Sequence, residues 1–184
     1  MNELIIELFK YFARFVPKKA LEEIFIQPTS SRKTGYDQIK TEILSLPDDN
    51  VIVDIEKFVV SANENFVSDK IKNAQGVILF IEYGRVDVDH HIIKGIRESL
   101  AVTVACDFST KNHDNLNEIL LMNRCLEILD RIIRRMGVDQ QDLDFCAEAE
   151  LISEPVEIHI VEPASFYGFG GWCAMFQNAK TDLI

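Results

Sequence analysis

The densest group of metal-ligating side chains in this 184-residue chain is Asp87-Val-Asp-His-His91. Carboxylate oxygens and an imidazole nitrogen at alternating positions of an extended strand converge on one side, the donor set of a hydrolytic divalent-metal site. Asp87, Asp89 and His91 share that side, and His90 faces away. His113 and His159 are the remaining histidines, and no His-x-x-x-His pair completes a ligand set. A solvated strand end explains the same residues more simply. The expectation is a non-enzymatic protein without cofactor or metal, with a small metal-dependent enzyme using Asp87, Asp89 and His91 as the alternative.

A second group is Gly168-Phe-Gly-Gly171. Phosphate-cradling glycines lie between a strand and a helix with wider spacing, whereas here Trp172 to Phe176 continues as strand, so these glycines bend the strand or admit a neighbouring backbone. Phe166, Tyr167, Phe169 and Trp172 surround them. Such an aromatic group is either core or a protein-contact hot spot, and presenting it to a partner would make the chain an adaptor domain. Cys106, Cys125, Cys146 and Cys173 stand 19, 21 and 27 residues apart, which suits neither a zinc knuckle nor a disulfide framework. They read as buried, reduced thiols.

Charge separates partners from non-partners. The net charge is -11, yet residues 1–75 carry 10 basic and 12 acidic side chains, residues 76–136 carry 8 and 9, and residues 137–184 carry 1 and 9. The acidity belongs to the C-terminal segment, and it repels phosphate backbones, excluding sequence-specific nucleic-acid binding. The basic cluster Arg131, Arg134 and Arg135 ends a long helix, where it complements the helix dipole; a subunit contact with the acidic segment is its functional reading. Glu3 and Glu7 stand where a secretory signal carries positive charge, and no run reaches the length of a membrane span. An intracellular protein without membrane contact is expected.

The elements that hold these groups follow from hydrophobic periodicity. Leu4, Ile5, Leu8, Phe9, Phe12 and Phe15 recur at helical steps, and Pro17 ends that helix. Residues 28–36 form a polar loop, and a short helix from Asp37 to Leu46 follows with Ile39, Ile43 and Leu46 inward. From Val51 to Val60 the period becomes two. Gly76 to Tyr83 is apolar on both sides and predicts a central strand, with Gly84 as a bulge. Leu100 to Phe108 alternates large residues with the small Ala101, Thr103 and Ala105, a face suited to a closely packed helix. That helix, capped by Asp114 or Asn115, carries a stripe of Leu116, Ile119, Leu120, Leu126, Leu129, Ile132, Ile133 and Met136 and stops at Gly137. Glu127 and Asp130 pair with Arg131 and Arg134 four residues on. Strands at 145–153, 156–160 and 166–176 close the chain. The fold class is α+β: a mainly antiparallel sheet with one long helix, about 115–136, packed on it. Residues 1–46 form an N-terminal helical segment, within the same domain or as an appendage, and residues 47–184 the α+β domain.

The strand Leu100 to Phe108, the loop with Asn112 and Asp114, the long helix and the last strand ending Tyr167-Gly-Phe-Gly-Gly-Trp-Cys-Ala-Met-Phe176 together resemble the tail-completion, or tail-terminator, proteins of tailed phages and prophages. The likeness is one of pattern and covers about residues 50–177. It implies a structural protein that forms a ring or other homo-oligomer at the head–tail junction, contacts other tail and head proteins, and has no active site. It further implies assembly in the cytoplasm of a bacterial host, incorporation into the virion, and an acidic lumen past which DNA slides without sticking.

Overall fold

Helix α1, Leu4–Ala13, begins the structure, a computed structural model that describes residues 4–61, 64–88, 96–108, 114–141, 149–150 and 156–181. Its apolar stripe points inward as the spacing requires: Leu8, Phe12 and Phe15 are fully buried. Each such side chain contributes about 1.5–3 kcal/mol relative to exposure. After Ala13 the chain tightens into a turn through Val16, and Pro17 then starts a second helix, α2 at Lys18–Glu22, because its fixed φ of -58° suits a helix entrance and its missing N–H is not needed there. A single 3-10 turn at Thr29–Ser31 interrupts the polar loop, and α3 spans Tyr36–Leu44 with Ile43 buried.

The sheet has six strands: β1 Ile55–Val60, β2 Val77–Val88, β3 Ile96–Asp107, β4 Ala149–Glu150, β5 Glu157–Val161 and β6 Phe169–Thr181. Its order is β1-β2-β3-β6, and β4 and β5 share the far edge of β6, β5 along Gly171–Met175 and β4 along Lys180–Thr181. All pairs are antiparallel except β1 with β2. The sheet is thus mainly antiparallel, as expected, with one parallel pair. Helix α4, Glu64–Ile71, links β1 to β2 and returns the chain to run parallel. Its Val67 and Ile71 pack with Val59, Ile78, Phe80, Ala105 and Phe169 on one face of the sheet. The register of β2 against β3 skips Gly84, which is the bulge its sequence allows. Strand β1 is shorter than the alternation predicts: Val51 to Asp54 form a turn, and Val53 is exposed.

Helix α5, Asn115–Gln141, crosses the opposite face. Asp114 caps it, its Oδ1 accepting from the Asn117 amide at 2.7 Å. Cys125, Ile128, Leu129, Ile132 and Met136 meet Leu100, Val102, Val104 and Cys106 of β3 and Ala174 and Phe176 of β6, in one core that also contains Leu8, Phe12, Phe15 and Ile43. The helix therefore takes the large-residue face of β3, not the small one: bulky side chains on both partners bury more apolar area and interdigitate. Two further expectations change. Leu116, Ile119 and Leu120 are exposed, because Leu116 precedes Cys125 by about two and a half turns and so lies on the opposite side of the helix. Gly137 does not stop α5, which continues to Gln141 with Met136 and Asp139 both fully buried. No helix among the described residues is long and apolar enough to cross a membrane.

Arg124 of α5 ties the helix to the turn before β1, with Nη2 2.6 Å from Asp54 Oδ2 and Nε 3.2 Å from Oδ1. This two-pronged bond holds the Asp54 carboxyl below its ordinary pKa. A carboxylate with a depressed folded-state pKa adds stability above its unfolded value of about 3.9, and that contribution is lost as pH falls through the folded value. Both side chains are partly exposed. Asp54→Asn is therefore expected to cost less than about 1 kcal/mol at neutral pH and nothing once the pH is below the folded pKa of Asp54. Urea unfolding of both chains from pH 7 to pH 2 checks the convergence.

Candidate functional site

Asp89 and His91 lie outside the described residues, and Asp87 is described only as a backbone position near the end of β2, paired with Arg97 of β3. Among the described residues no group of three or more His, Cys, Asp and Glu side chains gathers as a metal site. Cys106 and Cys125 are buried and Cys173 is half-buried, all as free thiols; Cys146 lies outside the described residues. The Cys125 thiol donates to Cys106 Sγ at 3.6 Å across the α5–β3 contact. That bond, then burial, raises the pKa of Cys125 and keeps it protonated.

The three clustered arginines in the second half of α5 turn three ways. Arg134 forms the expected pair with Asp130, Nε to Oδ2 at 2.7 Å, and stands in solvent. Arg131 does not meet Glu127, which binds Arg124 at 3.1 Å instead; its Nη2 reaches the Val51 carbonyl at 3.4 Å. Arg135 turns inward to Asp139, with Nη2 2.5 Å from Oδ1, in ion-pair contact but off the line a hydrogen bond needs. Asp139 is fully buried and also binds α1: Tyr11 Oη donates to its Oδ2 at 2.9 Å and Arg14 Nη1 lies 3.2 Å from the same oxygen. Burial, then the bond to Asp139, raises the Tyr11 phenol pKa well above its ordinary value. Two cations and a phenol compensate one buried carboxylate and clasp α1 to α5. The sequence carried one hint of this: Asp139 continues the inward stripe of Ile132 and Met136.

The sheet divides the aromatic group. Phe166 stacks on Phe80 at 5.8 Å, and Phe169 is buried in the α4-side cluster. Trp172 lies on the α5 side, where its Nε1 donates to the Met122 carbonyl at 3.0 Å. Tyr167 alone of the four is exposed, at a positive φ of 54° in the turn leading to β6, beside Gly168 at 88°.

Exposed apolar surface collects at β5 and the start of α5. Every residue of Glu157 to Ile160 is exposed, and among the described residues β5 pairs only with β6. Ile158 and Ile160 lie opposite Ala174 and Trp172 on the α5 side of the sheet, yet Ile160 is 58% exposed. On α5 the outward Leu116, Ile119 and Leu120 are each more than half exposed. Edge strands in soluble proteins are usually blunted by charge, proline or a covering element, and on β5 Ile158 and Ile160 remain exposed, alternating with Glu157 and His159. Periodicity predicts the strand but does not show that nothing covers it.

A separate cavity of about 460 Å³ opens on the other side of the molecule, among α1, the stretch after α2, α3, β1 and α4. Sequence reading gave no sign of it, since its walls come from five segments. No family model, no curated protein and no solved structure matches the chain.

Proposed function

We propose that this chain is a non-enzymatic assembly protein that works by packing edge to edge with further copies and with neighbouring proteins, in the manner of the phage tail-completion proteins its element order resembles. The observation that carries the reading is β5, which among the described residues is an edge strand and whose Ile158 and Ile160 are open to solvent. Such an edge offers unpaired backbone groups and apolar side chains together, which is what strand addition or side-by-side packing uses. Leu116, Ile119 and Leu120 supply a second apolar patch for the same purpose. Arg131 and Arg134, which stay on the surface, are available to the acidic C-terminal segment of an adjacent copy, and a repeated head-to-tail contact of that kind closes into a ring. In that assembly the surplus of acidic residues after Gly137 keeps nucleic acid from adhering.

Mass in solution tests this. The wild-type chain is expected to form a defined oligomer by light scattering as concentration rises. The double variant Ile158→Lys, Ile160→Lys is expected to remain monomeric with an unchanged helical circular-dichroism signal, because both positions are exposed in the single chain. A wild-type chain that stays monomeric throughout, or a double variant that assembles as well as wild type, defeats the proposal.

A further inference from the structure

The cavity beside β1 is independent of the assembly surface. At about 460 Å³ it falls within the roughly 300–1,000 Å³ of small-molecule sites. Its lining is mostly aromatic and aliphatic. Phe9 stacks on Phe58 with centroids 5.6 Å apart and meets Phe25 edge-on at 6.4 Å, and Ile39 of α3 and Phe66 of α4 continue the wall. A sugar or nucleotide would bury several polar groups there without partners, which is costly. The ligand must be chiefly apolar.

The polar groups in the wall narrow the class further. Glu23 and Lys57 form an ion pair with each other. Lys70 does not have such a partner: its ammonium stands 5.3 Å from the Phe66 ring, with no carboxylate in ion-pair reach among the described residues. This ammonium is an unpaired donor on the wall, and it calls for a ligand with an acceptor, a charged one above all.

We infer that this cavity binds a single-chain monocarboxylate, a fatty acid in chemical class, with its hydrocarbon chain among Phe9, Phe25 and Phe58 and its carboxylate at Lys70. The local charge is what makes an anion acceptable in a chain whose net charge is -11.

Calorimetric titration of the full chain with dodecanoate and with dodecan-1-ol, both below their aggregation limits, tests the assignment. Dodecanoate is expected to bind at one site per chain, at least about tenfold more tightly than the alcohol, the effect of one charged hydrogen bond. Lys70→Met keeps the apolar stem and removes the ammonium, so dodecanoate should weaken to the level of the alcohol while the alcohol is unchanged. Ile39→Trp fills the cavity and should abolish both; if that variant loses its helical spectrum, Lys70→Met decides alone. Absence of saturable dodecanoate binding, binding retained by a folded Ile39→Trp chain, or an undiminished preference for the carboxylate in Lys70→Met overturns the inference. None of these outcomes bears on oligomer formation.

Discussion

Gly171→Ala is expected to destabilise the protein by about 3 kcal/mol or more, the upper end of what overpacking costs. A Cβ at this position would stand 2.1 Å from the Val104 carbonyl oxygen and 2.6 Å from Ala105 Cα. Both are backbone atoms of β3, which cannot swing aside as a side chain can. Gly171 pairs with Ala105 between β3 and β6 and with Val161 of β5 on its other side, so strand separation would propagate in both directions. For a domain of this size the loss corresponds to a fall in Tm of roughly 6–12 °C. Gly137→Ala makes the same chemical change with the opposite sign. It lies inside α5 with nothing within 4 Å of an added Cβ, and should gain up to about 1 kcal/mol from helix propensity. Thermal unfolding of the two variants beside wild type gives both answers. Equal effects from the two substitutions would mean that β6 is not held so close to β3.

Asp139→Ala is expected to cost about 3–5 kcal/mol, the consequence of removing one member of a buried ion cluster. Asp139 is fully buried, while Arg14 and Arg135 keep 19% and 36% of their side-chain surface in solvent. After the substitution the two guanidinium groups repel each other across a desolvated gap, and Tyr11 loses the acceptor of its hydroxyl. Asp139→Asn keeps the volume and removes only the charge, so it should cost nearly as much. Arg134→Ala, which removes a solvent-exposed pair at the surface of the same helix, should leave stability nearly unchanged. Urea denaturation measures all three, and amide hydrogen exchange should show α1 losing protection first in the Asp139 variants. If Asp139→Ala proves as mild as Arg134→Ala, the clasp contributes nothing to holding α1.

The amphipathic stripes of α1 and α5, the alternation in β2 and β3, the Asp114 cap and the Gly84 bulge were all legible in the chain, because each rests on residues within a few positions of one another. The parallel turn of β1 and β2 was not, since α4 is only eight residues long and weakly patterned. Periodicity also assigned Leu116, Ile119 and Leu120 to the inward stripe of α5. Apolar residues recur on both sides of this helix, and periodicity alone does not say which side meets the sheet. The arginine cluster shows the same limit: Arg131, Arg134 and Arg135 look equivalent in sequence and end with a backbone carbonyl, a surface carboxylate and a buried one.

By itself the sequence determined the α+β class, which residues alternate or recur, and the acidic bias of the last segment, all properties set by local sterics and by counting. Tertiary structure alone decided which face of β3 receives α5, that Ile158 and Ile160 of β5 stay exposed, that Asp139 joins α1 to α5, and that five separate segments line a cavity with an unpaired ammonium on its wall. Each of these depends on distances between residues far apart in the chain. Such distances follow from how the whole core closes, and no short window of sequence contains them.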